Sequence, residues 1–427
     1  MQATDSKSPS VFDYIFGLTV PGVKLELSRV EAFLQRLGNP FSKYPVIHIA
    51  GTNGKGSTAA MLAAILNAFD IKTGLFTSPH LVKPNERIRI GGALVPDEFI
   101  IEKVDEWRPH IDELGITFFE VLTALGMVYF HEQKVDYAIF ETGLGGRLDA
   151  TNVVDPIMSI ITAISMDHEN ILGNTLEKIT LEKAGIIKAK RPVLLGQNVE
   201  QVKRLVESKC HLKEAPFNYV PDRVTLEKVE PIDISQRLQL SFDDQTYEFL
   251  LPLLGRHQAE NFSNVLMALN ALDLPLDQRI IQNGLDQLNW KGRIQLLQAQ
   301  PRVLYDVAHN AEGLDRLLES LSEAGLGDTI LIAAFNARKK ISALIESLDR
   351  WQGGLLFTRF EGHSAVGHQE LIQQGVNTEL IEENPQKAYE RALGMRQHDK
   401  QAICFFGSHY LAESLFELFQ VQEAEGG

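Results

Sequence analysis

Only two cysteines, Cys210 and Cys404, occur in the 427 residues, far apart and outside any CxxC or Cys/His spacing. That scarcity excludes a disulfide framework and a cysteine-based zinc site, so both thiols are expected to be buried bystanders. Positive charge is also in deficit, because 41 Lys and Arg stand against 56 Asp and Glu, a formal net charge of −15. A broad nucleic-acid footprint needs clustered Lys and Arg against a phosphate backbone, so no nucleic-acid partner is expected and any anionic ligand must meet local donors. Long apolar runs are missing as well. No stretch approaches the ~18 uninterrupted apolar residues of a membrane span, and the N-terminus has no basic segment followed by an apolar one. A soluble cytoplasmic protein without membrane contact is expected.

What is present is a 44% hydrophobic content in a chain longer than a single core usually supports, which points to two domains. Short β-branched runs alternate with amphipathic segments through the first part: PVIHIA (45 to 50), KTGLFT (72 to 77), DYAIFET (136 to 142) and IMSIITAI (157 to 164). Such alternation indicates parallel strands with crossover helices. Between about 216 and 252 the pattern becomes strand-like with intervening turns, RLQLSF and YEFLLPLL, and reads as a small β appendage. Helical periodicity returns at HQAENFSNVLMALNALDL, and after Arg293 a second β/α series begins with VLYDVAH, TILIAAF, GGLLFTRF and AICFFG. The expected fold class is α/β, with a larger N-terminal α/β domain over 1–295 and a smaller C-terminal one over 296–427.

The sharpest local signal follows the strand PVIHIA. Gly51-Thr52-Asn53-Gly54-Lys55-Gly56-Ser57 leads into an Ala- and Leu-rich helix expected to start near Thr58. Strand, glycine loop and helix in that order form a phosphate cradle. Glycines let backbone N–H groups point inward, the helix N-terminus adds positive potential, Lys55 reaches the β and γ phosphates, and a hydroxyl approaches Mg²⁺. The match to GxxxxGK[ST] is incomplete, since Ile49 holds the first glycine position and Gly56 separates Lys55 from Ser57. Taken alone the loop can also be an ordinary glycine turn.

The loop does not stand alone. GTNGKGS followed by FTSPHL, TFFE (117 to 120), ETGLGGRLDATN (141 to 152), MDHENILG (166 to 173), EKAGIIK (182 to 188), GRHQAENFSNVLMAL (255 to 269), WKGR (290 to 293) and YDVAHN (305 to 310) run in order along most of the chain. Together they resemble the folylpolyglutamate synthase and dihydrofolate synthase family of the Mur ligase superfamily. The resemblance implies a Mur-ligase-like P-loop domain followed by a Rossmann-like domain, with ATP and the acyl substrate held between them. It also implies Mg²⁺-dependent ligation of L-glutamate to dihydropteroate or a reduced folate through an acyl phosphate. A monovalent cation such as K⁺ is a further candidate cofactor, and a monomer is expected.

Site roles follow from matching motif positions. Lys55 is the phosphate contact, with Ser78, Glu141 and His168 as Mg²⁺ ligands; singly, these would read as a helix cap, a salt-bridged carboxylate and a core or surface histidine. Lys183 matches the lysine that the family carboxylates with CO₂, although most helical lysines are merely solvated. Asn261, Arg293 and Asp306 match ATP-binding positions, with His309 as an additional contact and Ala311 standing where the family commonly has proline. Leu25, Glu26 and Leu27, the stretch Thr117, Phe118, Phe119 and Glu120, and Leu148, Asp149 and Ala150 match the dihydropteroate-contacting regions. Phe118 or Phe119 can stack on a flat heterocycle, or both can open the helix as core residues. Two other readings compete. A cell-wall Mur ligase shares the loop but uses a UDP-sugar acceptor, for which no extra N-terminal domain is evident. A nucleotide-dependent switch uses the loop for gating without chemistry. Within the folate reading a bifunctional enzyme is favoured.

Overall fold

A computed structural model describes residues 10–18, 26–336, 342–348, 350–360 and 365–421. The chain divides into two compact units, one built from residues up to Ala59 with 69–79 and 84–219, the other from 60–68, 80–83 and 220 onward.

The first unit is organised by an eight-stranded sheet of β1 (Val46–Ala50), β2 (Thr73–Phe76), β3 (Ile88–Ile90), β4 (Ala93–Leu94), β5 (Tyr137–Glu141), β6 (Met158–Ile161), β7 (Val193–Leu195) and β8 (Phe217–Tyr219), in the order β4-β3-β2-β5-β1-β6-β7-β8. Six strands run parallel, and β3 and β4 add an antiparallel edge. Every residue of β1 is buried, which is why VIHIA reads as a near-continuous run rather than an alternating one. The helices Asp97–Leu114 and Phe118–Glu132 close one core cluster around Phe33, Phe76, Trp107, Phe130 and Phe140, and Ile179, Ile186, Val202 and Val206 belong to another.

The second unit carries an antiparallel meander of β9 (Val224–Ile232), β10 (Ser235–Phe242) and β11 (Gln245–Leu251). It also holds a five-stranded sheet of β12 (Gln295–Gln298), β13 (Val303–Asp306), β14 (Ile330–Ala333), β15 (Leu355–Phe357) and β16 (Ile403–Phe406), ordered β12-β13-β16-β14-β15. All its pairings are parallel except β12 with β13. The α/β class, with a larger N-terminal parallel sheet and a smaller C-terminal one, is thus the one the alternation of runs implies. Both cysteines are buried and free, and burial pushes the Cys210 thiol up to about 12. Among the described residues no helix is long and apolar enough to cross a membrane.

Candidate active site

Because β2, β5, β1 and β6 are adjacent and parallel, their C-terminal ends share one sheet edge, where open α/β sheets bind ligands. The chain leaves that edge through Gly51, Ser78, Glu141 and Thr162. The glycine loop is pinned to the exit of β6: Thr52 N–H donates to Ala163 O at 2.7 Å, Thr52 Oγ1 donates to Ser165 O at 3.1 Å, and Thr162 Oγ1 donates to Asn53 O at 2.8 Å. A Cβ on Gly51 would lie 1.9 Å from Thr162 Oγ1, and its φ of +156° is one that side chains rarely adopt, so only glycine fits. The helix Lys55–Ala68 starts three residues earlier than expected, which puts Lys55, Gly56 and Ser57 in its first turn. Gly54, with φ +88°, supplies the bend into that turn. Lys55 Nζ curls over the loop to Gly51 O and Thr52 O, each at 3.1 Å. The Ser57 hydroxyl is buried with no hydrogen-bond partner. An orphaned hydroxyl in the first turn of a phosphate-loop helix fits a ligand of Mg²⁺, and so does the oxygen donor set nearby.

Lys183 meets this loop from the helix Leu176–Lys183. It is 4% exposed, and its Nζ donates to Gly51 O at 2.6 Å. Burial foremost, and then the Lys55 charge, push its amine down to about 7, against the opposing pull of Asp167 and Asp149. A carbamate forms only on a neutral amine, so a lysine near 7 fits the carboxylation that the resemblance implies, whereas an ordinary surface lysine does not.

Glu141 ends β5 opposite Ile49 and is buried. Its Oε2 accepts from Ser78 N–H at 3.0 Å, so the structure brings two of the three expected metal ligands together. His168 is the left-handed residue (φ +50°) capping the turn Glu169–Leu172, with its side chain 45% exposed and its Nε2 3.8 Å from Asp167 Oδ2. Among the described residues no group of three His, Cys, Asp or Glu side chains is gathered as a metal site, so a hydroxyl or a ligand oxygen must complete any set built on Glu141.

Of the residues expected to line the acyl substrate, Leu25 lies outside the described residues. Glu26 is exposed, and Leu27 packs against the first unit's core just before the helix Ser28–Arg36. Thr117 and Glu120 form a capping box at the start of Phe118–Glu132. Both phenylalanines pack on the core. Phe119 meets Phe76 edge-on at 5.9 Å, while Phe118 stacks on Phe16 at 5.5 Å with the Arg87 guanidinium 5.4 Å from its ring. Leu148 is half-buried and Ala150 is buried in the turn Ala150–Val153. Both oxygens of Asp149 are engaged within their own segment, Oδ1 by Thr151 N and Oγ1 and Oδ2 by Leu144 N. Burial raises this carboxyl above the usual carboxylate range, and those hydrogen bonds only partly oppose the rise.

In the second unit Arg293 lies close enough to Asp306 for its charge to oppose the upward push of burial on that carboxyl. Asp306 Oδ2 accepts from Ile294 N at 2.9 Å and Oδ1 from Ala308 N at 2.7 Å, which folds the turn after β13 around the carboxylate. Asn261 is buried and donates to Gln258 Oε1 at 3.0 Å, rather than facing solvent from mid-helix. Burial, with Arg316 and Arg293 beside it, pushes His257 down to about 3 and keeps it neutral. His309 Nδ1 lies 2.9 Å from Val307 O. Ala311 opens the helix Ala311–Glu323, and Asn310 caps it by accepting from Gly313 N at 2.8 Å. Alanine, a strong helix former, is accommodated at this first helical position without the proline.

Residues 49–272 match the Mur ligase middle domain. A dihydrofolate synthase/folylpolyglutamate synthase of Bacillus subtilis is 36% identical over 338 residues, covering 76% of this chain and 78% of that one. The chain belongs to the folylpolyglutamate synthase and dihydrofolate synthase family of Mur ligases. The folylpolyglutamate synthase of Lacticaseibacillus casei is 30% identical over 401 residues, covering 91% of this chain and 92% of the relative. Among solved structures, Mycobacterium tuberculosis folylpolyglutamate synthase complexed with ADP superposes with a TM-score of 0.90 at 27% identity, covering 96% of this chain and 98% of that one. An FPGS complex with AMPPCP and folate superposes at 0.85, with 28% identity and coverage of 96% and 98%.

Against that family background, three residues that motif matching passes over stand out. Asp167 sits inside the segment MDHENILG, and its charge reaches Lys183. His48 lies fully buried in β1, where its Nε2 contacts Thr151 Oγ1 at 2.8 Å and burial pushes it down to about 3. Arg29 bridges two segments 91 residues apart. Only Asp167 carried a sequence signal, an acid beside a candidate ligand.

Proposed function

We infer that this chain joins L-glutamate by an amide bond to dihydropteroate and to the γ-carboxylate of reduced folates, consuming ATP. The observation that carries this reading is the convergence of Lys55, Lys183 and the Ser78–Glu141 pair on one sheet edge around the glycine loop. A carboxylate is unreactive toward amines in water, so the acceptor oxygen first attacks the γ phosphorus of ATP, giving an acyl phosphate and ADP. The glutamate nitrogen then attacks the acyl carbon, the C–N bond forms, the C–O bond to phosphate breaks, and the amine loses its proton as phosphate leaves. Lys55 and the first-turn N–H groups hold the phosphate charge in place. Ser57, Ser78, Glu141 and His168 would hold Mg²⁺, which supplies further neutralisation of the phosphates. Lys183, once carboxylated, presents an anion instead of an ammonium beside that site. K⁺ is a further candidate cofactor.

In the second unit Arg293 would contact phosphate through its fork of donors, and Asn261, Asp306 and His309 the remaining nucleotide. The acyl acceptor would meet the segments around Glu26, Thr117–Glu120 and Leu148–Ala150. The division proposed is a P-loop ATP-binding part over 1–295 and a ligase part over 296–427 that adds Asp306 and His309 to the nucleotide contacts. Support for both acceptors comes from the Bacillus subtilis relative, which is named for both activities. Activity is expected in the cytoplasm, by a monomer. The test is phosphate release with ATP, Mg²⁺ and glutamate, comparing dihydropteroate, tetrahydrofolate and a UDP-muramoyl acceptor. Glutamate-dependent release with the first two is expected, and release with the muramoyl acceptor alone would overturn the reading.

A further inference from the structure

Two segments read as acyl-substrate contacts, one ending at Glu26 and Leu27 and the other running from Thr117 to Glu120, are joined within the first unit by a side chain belonging to neither. Arg29 Nη1 donates to Glu26 Oε1 at 2.7 Å, and its Nη2 donates to Glu120 Oε1 at 3.3 Å. The other oxygen of Glu120, Oε2, accepts from both Thr117 N and Thr117 Oγ1 at 2.8 Å. One buried carboxylate therefore spans the guanidinium on one side and the start of the helix Phe118–Glu132 on the other. The Arg29 side chain is 13% exposed, and its Nε is buried without a hydrogen-bond partner. The helix carrying Arg29 is anchored by Val30, Phe33 and Leu34, all fully buried, so its place in the fold does not depend on the guanidinium.

We propose that Arg29 is a positioning residue for the acyl acceptor, locking the Glu26 and Thr117–Glu120 segments into one binding face. This rests on the ligase reading above. A planar fork engages two carboxylates at once in fixed directions, whereas the lysine ammonium is a point charge on a flexible stem that fixes neither direction. Loss of the fork frees the two segments relative to each other while the phosphate loop, which shares none of these bonds, keeps its shape. The expected signature is a change in the acceptor KM without a matching change for ATP.

The test uses the full-length enzyme in steady-state ligation, varying dihydropteroate or tetrahydrofolate at saturating ATP and glutamate, and then varying ATP. Arg29→Lys is expected to raise the acceptor KM about ten-fold, with kcat and the ATP KM within about two-fold of wild type. Arg29→Ala and Glu120→Gln together are expected to raise it no further than the larger single effect, as residues of one network do. Glu26→Gln, at an exposed position that leaves folding untouched, gives a smaller rise and keeps the test open if Arg29→Ala does not fold. A wild type that ligates neither acceptor sinks the ligase reading and this inference with it. A wild type that ligates, paired with an Arg29→Lys enzyme whose acceptor KM is unchanged or whose ATP KM rises equally, sinks this inference alone.

Discussion

Replacing Lys183 with methionine should stabilise the first unit while destroying activity. The amine is held at about 7 instead of the usual 10.5, chiefly by burial. In the unfolded chain it stays protonated through neutral pH, so at pH 7 the native state bears a cost of about 4 kcal/mol for stripping or burying that charge. Methionine fills a similar volume without this cost and forfeits the hydrogen bond to Gly51 O, a loss of about 1 kcal/mol. The variant is therefore expected to be more stable by about 2 to 3 kcal/mol at pH 7. The sign of the pH dependence follows from proton counts. Between the folded value and 10.5 the unfolded chain binds the proton and the native chain does not, so wild-type stability rises with pH across that window. The advantage of Lys183→Met should accordingly shrink by about 2 kcal/mol between pH 7 and pH 9. Urea unfolding in CO₂-depleted buffer reads this out, with Trp290 and Trp351 replaced by Phe so that buried Trp107 reports on the first unit alone. A variant less stable than wild type at pH 7, or a stability difference that does not vary with pH, would refute the reasoning.

Other perturbations separate the roles at the sheet edge. Lys55→Ala should lower ligation by about three orders of magnitude with an unchanged circular dichroism spectrum, since the lysine lies on the loop and not in the core; normal turnover by the folded variant removes the loop from the mechanism. Glu141→Ala and His168→Ala should each raise the Mg²⁺ needed for half-maximal turnover by about ten-fold, and an unchanged Mg²⁺ dependence would place them elsewhere. Lys183→Ala should lose activity and recover part of it when a short carboxylic acid such as acetate is added, whereas an ammonium role would be rescued by a short amine instead.

Much of this arrangement was legible because its determinants are local. The strands β1, β5, β6, β13, β14 and β16 are buried along nearly their whole length, so each appears as an uninterrupted apolar run. The loop glycines announce themselves by spacing, whereas only the family resemblance marks Ser78 and Glu141. What stayed hidden depends on distant partners. Arg29 gains its meaning from Glu120, and the low Lys183 value from burial against Gly51 and from Lys55, neither of which any window of sequence contains. The three-residue strands β7 and β8 are too short for a periodic signal. The two phenylalanines illustrate the same limit, since their surroundings come from distant residues: Phe119 meets the buried ring of Phe76, while Phe118 stacks on the exposed Phe16 beside Arg87.

The central claim, that the acceptor carboxylate is phosphorylated before the amide forms, is tested most directly by following its oxygen. Dihydropteroate carrying ¹⁸O in both carboxylate oxygens is turned over with ATP, Mg²⁺ and glutamate, and the released phosphate is analysed by mass. Attack of that carboxylate on the γ phosphorus, followed by C–O cleavage, should place one ¹⁸O in each phosphate released and leave the other in the amide carbonyl. Phosphate free of ¹⁸O alongside glutamylated product would contradict an acyl phosphate and, with it, the phosphoryl-transfer role of the site around Lys55, Glu141 and Lys183.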